Sequence, residues 1–236
     1  MRASNKMTGV GTIALAIGFN LPFSYLAQNF GYPGILRHPA SEVLSRFAAC
    51  GDGLIWAWYL FGLSALMFAP LGVALSISAE RLRKSPALAI GAALAGVASG
   101  LVQAMGLLRW VFVVPGLAAS NDAMAQGQFA LMNAYAGVAV GEHMGQLFTA
   151  LFVGLVAVLQ WGERKPVSGL AGTLTAALLV ISAGGGLALA LGNSDAVFSV
   201  LSVAAYMGLS LWLVLTGIGL VLKREAAVAA DDVVYV

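Results

Sequence analysis

Glu142 and His143 stand side by side in "YAGVAVGEHMGQLFTALFVGLVAVLQW" (135–161), a stretch otherwise almost wholly apolar or small. A carboxylate beside an imidazole is the equipment of general acid–base chemistry. An ionised carboxylate at the centre of a bilayer costs about 3 kcal/mol on insertion scales, so a partner is required. Arg109, in "GLLRW", is the one basic residue in a comparably apolar stretch, and it is the expected counter-charge. Gln146 follows Glu142 by four positions and shares its helical face, whereas His143 is rotated about 100° from it and need not face the same cavity. His38 and His143 are the only histidines, so a bis-histidine haem would have to use both. His38 sits in a loop between Arg37 and Pro39, which argues against such ligation, and neither a metal nor a cofactor is expected.

These residues must be positioned by membrane helices. Of the 236 residues 60% are hydrophobic and 9% charged, whereas roughly a quarter are charged in ordinary soluble domains. The net charge of +2 and the lack of a basic run interleaved with aromatics exclude nucleic acid as a partner. Cys50 is the only cysteine, which excludes an intrachain disulfide and a cysteine-built metal site. No phosphate-binding glycine loop or zincin motif is present, and Ser99 in "GVASG" lacks the surroundings of an intramembrane serine protease.

About 20 apolar residues are needed to cross the hydrocarbon layer. Six segments qualify, over 8–28, 53–79, 86–114, 136–161, 167–191 and 196–222, in a single membrane domain spanning 1–236. The N-terminal run is too long for a signal peptide and reads as the first span. Connections rich in Lys and Arg ("ERLRK", "ERK", "KRE") alternate with connections that carry only Arg37 and Arg46. The positive-inside rule then places both termini in the cytoplasm, with a short cytoplasmic tail over 225–236. The expected fold is an all-α bundle of six transmembrane helices in a cell membrane, the inner membrane of a bacterium.

Counting helix rise inward, Arg109 and Glu142 both lie about 9 Å below the outer surface, which predicts an Arg109–Glu142 ion pair. The first outer loop contains "PASEVLSRFAA", expected as a short amphipathic helix in the interface with Val43, Leu44 and Phe47 on its apolar side. Glycines at four-residue spacing, Gly96 and Gly100, then Gly137, Gly141 and Gly145, are close-packing faces within the chain or between copies in a homo-oligomer.

Four segments carry a family resemblance: "YPGILRHPASEVLSRF" (32–47), "WAWYLFGLSALMFAPLGVAL" (56–75), "GLLRWVFVVPGLA" (106–118) and "GVAVGEHMGQLFTAL" (137–151). In order and spacing they resemble the bacterial membrane proteins of domain-of-unknown-function family 4386. The resemblance implies a six-helix bacterial membrane protein and supplies no activity. It draws attention to Pro33, Leu36, Arg37 and Pro39, to Leu108, Arg109 and Trp110, and to Gly141 and Glu142.

The expected function is an outward-facing polar pocket that binds or senses a small amphipathic molecule or membrane lipid. Its candidate contacts are Arg37, Arg46, Trp58, Arg109, Trp110, Glu142 and Gln146. The alternatives are a membrane enzyme or redox subunit using Glu142 and His143, and a small-molecule or ion transporter.

Overall fold

The computed structural model describes side chains for residues 5–222; the tail expected over 225–236 lies outside that range. The described residues form helices and no strands. Six helical stretches are long and apolar enough to cross a membrane: 5–30, 52–76, 86–120, 123–162, 166–190 and 196–222. In lipid a helix satisfies its own backbone polar groups, which is why such sequences fold this way. The protein is a multi-pass membrane protein.

In chain order the elements are α1 (Arg2–Phe30), a 3-10 turn (Gly34–Arg37), α2 (Ala40–Ala49), α3 (Asp52–Ser76), α4 (Ala79–Lys84) and α5 (Pro86–Phe112). They continue with α6 (Val114–Ser120), α7 (Ala123–Met132), a π-helical segment (Asn133–Met144), α8 (Gly145–Gly162), α9 (Pro166–Ala190) and α10 (Ala196–Asp232). Pro86 and Pro166 occupy first turns, where proline's missing N–H is harmless, and Pro22 and Pro70 lie inside α1 and α3.

The third and fourth spans differ from the sequence expectation. The stretch 115–128, read there as a loop, is mostly the helices α6 and α7. Pro115 interrupts α5 but fits the first turn of α6. Asp122 caps α7, its carboxylate accepting from Ala125 N–H at 2.8 Å. Both signals were present in the sequence, but they were outweighed by the run of small polar residues around them.

α2, α6 and α7 pack together at one end of the bundle. Val43, Leu44 and Phe47 of α2 turn inward, into a cluster with Phe30, Trp58, Trp110, Val114 and Phe129. The apolar face of α2 is therefore covered by protein. Within the cluster the Trp58 and Trp110 rings stack at 4.8 Å, and Phe47 stacks on Trp110 at 5.9 Å. Each such pair contributes about 1 kcal/mol beyond its buried area.

Both glycine stripes are used inside the chain. A Cβ on Gly96 would lie 3.1 Å from the Cα of Gly72, and one on Gly100 would lie 2.9 Å from the Ala65 carbonyl oxygen, so α5 rests almost backbone to backbone on α3. On its other side Gly106 meets Gly141 of the π segment in the same manner.

At the opposite end, the basic connections are tied together. Glu163 accepts from Arg81 Nε and from Lys165 Nζ, each at 2.5 Å. Burial opposes ionisation of Glu163, but the hydrogen bonds from Arg81 and Lys165 outweigh it and hold its pKa below the ordinary value of 4.5. A lowered folded-state pKa contributes stability that is complete above the ordinary value and is lost as pH falls through the folded one. Thermal unfolding followed from about pH 6 to about pH 3 should therefore fall less steeply for Glu163→Gln than for wild type. Parallel curves would mean that the clasp contributes nothing.

Candidate functional site

Between the cap and the middle of the bundle lies a cavity of about 320 Å³, bordered by α1, α3, α5, the π segment, α9 and α10. Its construction begins at the end of α1. Gly31, at φ 76°, adopts the left-handed conformation that ends the helix, and the N–H of Tyr32 bonds back to Leu26 O at 3.3 Å. The chain then turns so that Tyr32, Pro33, Leu36 and Arg37 all border the cavity.

Arg37 closes the charged end. Its Nη2 donates to Glu142 Oε2 at 2.5 Å, its Nη1 to Oε1 at 3.4 Å, and its Nε to Asp195 Oδ2 at 2.8 Å. One guanidinium thus ties the first connection to the π segment and to the start of α10. Burial works against the Arg37 charge; hydrogen bonds and attraction from Glu142 and Asp195 more than offset it and raise its pKa.

The expected Arg109–Glu142 ion pair is not formed at contact distance. Arg109 borders the same cavity and lies within electrostatic reach of Glu142. Its guanidinium, 7% exposed, instead donates to the Gly106 carbonyl and, at 3.1 Å, to Asn133 Oδ1, while Nε has no partner. Two features withhold the pair. Arg109 extends along its own helix to Gly106, and Gly137 of the π segment packs directly on the guanidinium, with room for no side chain. Glu142 and Arg109 share a level along the helices, but the carboxylate is taken by Arg37 of the first connection.

The π segment also alters the face assignment. Its i→i+5 bonding widens the turn, so residues advance through a smaller angle than in an α-helix. Glu142, His143 and Gln146 all border the cavity. His143 Nδ1 is engaged by the Ala183 carbonyl at 2.8 Å. His38 is not a cavity residue; its Nδ1 pairs with Glu42 at 3.0 Å. Among the described residues no three His, Cys, Asp or Glu side chains converge as metal ligands would.

A polar ladder leads away from the charged end. Gln146 donates to Ser202 Oγ at 2.8 Å and accepts from Ser182 Oγ at 3.3 Å. Gln103 donates to Ser99 Oγ at 2.8 Å and to Thr149 Oγ1 at 3.0 Å, and accepts from Tyr206 OH at 3.3 Å. Apolar side chains also line the cavity: Phe19, Phe23, Phe61, Leu107, Val203 and Met207. The cavity therefore combines a charged cluster, hydrogen-bonding side chains and hydrocarbon in one lining.

Of the expected contacts, Arg37, Trp58, Arg109, Trp110, Glu142 and Gln146 border the cavity. Arg46 does not: it is half exposed and pairs with Glu42 at 3.3 Å on the outside of α2. Tyr32, Asp195, Ser182, Ser202 and Tyr206 are cavity residues that the sequence reading missed. Asp195 had a signal, since an acidic residue just before an apolar helix is a common cap position. The serines had none, being ordinary residues of a packed membrane helix.

No curated protein and no solved structure matches the chain. Residues 7–217 match the family described as Domain of unknown function (DUF4386), and with nearly its whole length covered the chain belongs to that family.

Proposed function

We propose that the protein binds or senses a small amphipathic molecule or lipid in this cavity, which opens toward the outside of a bacterial cell membrane. The observation that carries the reading is that one cavity is lined both by the charged cluster of Arg37, Glu142 and Asp195 and by aromatic and aliphatic side chains. Ligand pockets have this composition: mostly apolar surface with a few converging polar groups. The orientation follows from the basic connections at the opposite end, which the positive-inside rule assigns to the cytoplasm.

Binding is favoured over transport by what lies below the ladder. Phe68, Phe152, Val153, Val156 and Leu209 form a packed apolar layer there. Trp212 of the same layer packs edge-on to Phe152 and donates its Nε1–H to Gln160, which bonds in turn to Thr216 at 3.1 Å. The layer separates the cavity from the basic end.

The test is to fill the cavity. Val203→Trp places a large ring against its apolar wall, and mass spectrometry of organic extracts should find an amphiphile with purified wild type that the variant lacks. Identical extracts from two equally folded preparations would sink the reading.

A further inference from the structure

Two buried hydrogen-bond donors at the cavity have no acceptor, and a third group beside them is unpaired. The Trp58 indole N–H and the Arg109 Nε–H are buried without partners. The Tyr32 hydroxyl makes no hydrogen bond among the described residues, although its ring lies 5.1 Å from that of Trp58 and it borders the cavity. These groups form one patch, for Arg109 sits 5.1 Å over the Trp110 ring that stacks on Trp58. Burial first, then the nearby Glu142 carboxylate, raises the Tyr32 pKa and keeps the hydroxyl a donor. A native interior rarely leaves such donors unpaired, since each costs the full desolvation of a polar group.

Charge points the same way. Both carboxylates of the cavity, Glu142 and Asp195, are held by Arg37. Arg109 has only neutral groups at hydrogen-bond distance, although a guanidinium has five N–H donors to place. Donors gathered around Tyr32, Trp58 and Arg109 suit a group rich in acceptor oxygens.

The apolar side shows where the rest of the molecule would go. α1 and α10 are joined at Gly9 and Gly217, whose backbones nearly touch, and by Asn20 Nδ2 donating to Ser210 Oγ at 2.8 Å. Beyond that bond the cavity separates them. Met207 borders the cavity yet is 67% exposed, so cavity wall and outer surface meet on α10. Phe23 of α1 and Val203 of α10 both border the cavity. At about 320 Å³ the cavity stands at the lower end of ligand-pocket sizes, which suits one chain rather than two.

We propose that the bound molecule is a single-chain oxyanion amphiphile whose carboxylate or phosphate head meets Tyr32, Trp58 and Arg109, and whose chain leaves between α1 and α10. This rests on the amphiphile-binding reading above and specifies its ligand. A fatty acid and a monoalkyl phosphate share this chemistry.

The experiment uses purified wild type in phosphatidylcholine nanodiscs, titrated separately with decanoate, decyl phosphate, decanol and decyltrimethylammonium. Thermal midpoint and tryptophan fluorescence are the readouts. Decanoate or decyl phosphate should bind saturably and at least about tenfold more tightly than decanol, with the tighter of the two identifying the head. Arg109→Gln should reduce that preference to near parity without weakening decanol. Tyr32→Phe, which removes only a hydroxyl, should reduce it by about threefold or more and covers the case in which Arg109→Gln fails to fold. Equal binding of decanol and the acids, or a preference for the ammonium, overturns the oxyanion assignment while leaving amphiphile binding intact. A preference unchanged in both variants likewise overturns it. Absence of saturable binding by all four probes removes both proposals together.

Discussion

Arg37→Ala should lower the thermal unfolding midpoint by several degrees, a loss of about 2–3 kcal/mol, more than truncation of any other polar side chain at the cavity. The arginine makes charge-assisted bonds to two carboxylates on different elements, so its removal leaves Glu142 and Asp195 facing a partly dry space without a cation between them. Breaking a fully buried pair costs more, about 3–5 kcal/mol. Here the side chains of Arg37 and Glu142 remain 27% and 30% exposed, which moderates the effect. Arg37→Lys should recover only part of the loss, because an ammonium cannot present the fork that reaches both acids. The combination Arg37→Gln, Glu142→Gln, Asp195→Asn should be more stable than Arg37→Ala, since no stranded charge is left. A double-mutant cycle supplies the sharper measurement. Coupling between Arg37 and Glu142 should be about 2 kcal/mol, and coupling between Arg109 and Glu142 well below that. The reverse order would restore the pairing expected from helix depth.

Gly106→Leu should disrupt the site from the other side. A Cβ at Gly106 would lie 2.7 Å from the Cα of Gly141 and 3.0 Å from the carbonyl oxygen of Ala136. These are backbone atoms of the π segment, so no rotamer change can relieve the overlap. α5 and the segment that carries Glu142 must move apart, at a cost of about 3 kcal/mol or more. Gly106→Ala should already be destabilising. Gly116→Ala and Gly127→Ala are the controls, because nothing lies within 4 Å of a Cβ at either position. They should stay within about 0.5 kcal/mol of wild type. Thermal unfolding and elution profile check the series; wild-type values for Gly106→Leu would show that the close approach is dispensable.

The sequence was a better guide to elements than to partners. Hydrophobic length identifies six spans because each must individually cover the hydrocarbon layer, a requirement that needs no knowledge of neighbours. The basic connections, the prolines at the starts of α5 and α9 and the glycine stripes are similarly local. The two helices over 114–132 are hard to read from the sequence because small and polar residues break the apolar run there, leaving only Pro115 in the first turn of α6 and the Asp122 cap of α7 as signals.

The site divides along the same line. That Glu142 must have a cation, that Trp58, Trp110 and Gln146 accompany it, and that an arginine from the first connection is near the mouth all follow from residue type and approximate level. Which arginine reaches the carboxylate does not. That choice depends on the turn at Gly31, on the closure of Arg37 across to Asp195 some 158 positions away in sequence, and on the π-helical winding that brings Glu142, His143 and Gln146 to one cavity. Sequence by itself determined a membrane bundle with buried charge, because hydropathy and the cost of an unpaired ion are properties of single residues and short segments. Tertiary structure alone decided the pairing and left the Trp58 indole N–H and the Arg109 Nε–H as buried donors without acceptors, because hydrogen bonds depend on direction and distance between groups that the chain brings together only on folding.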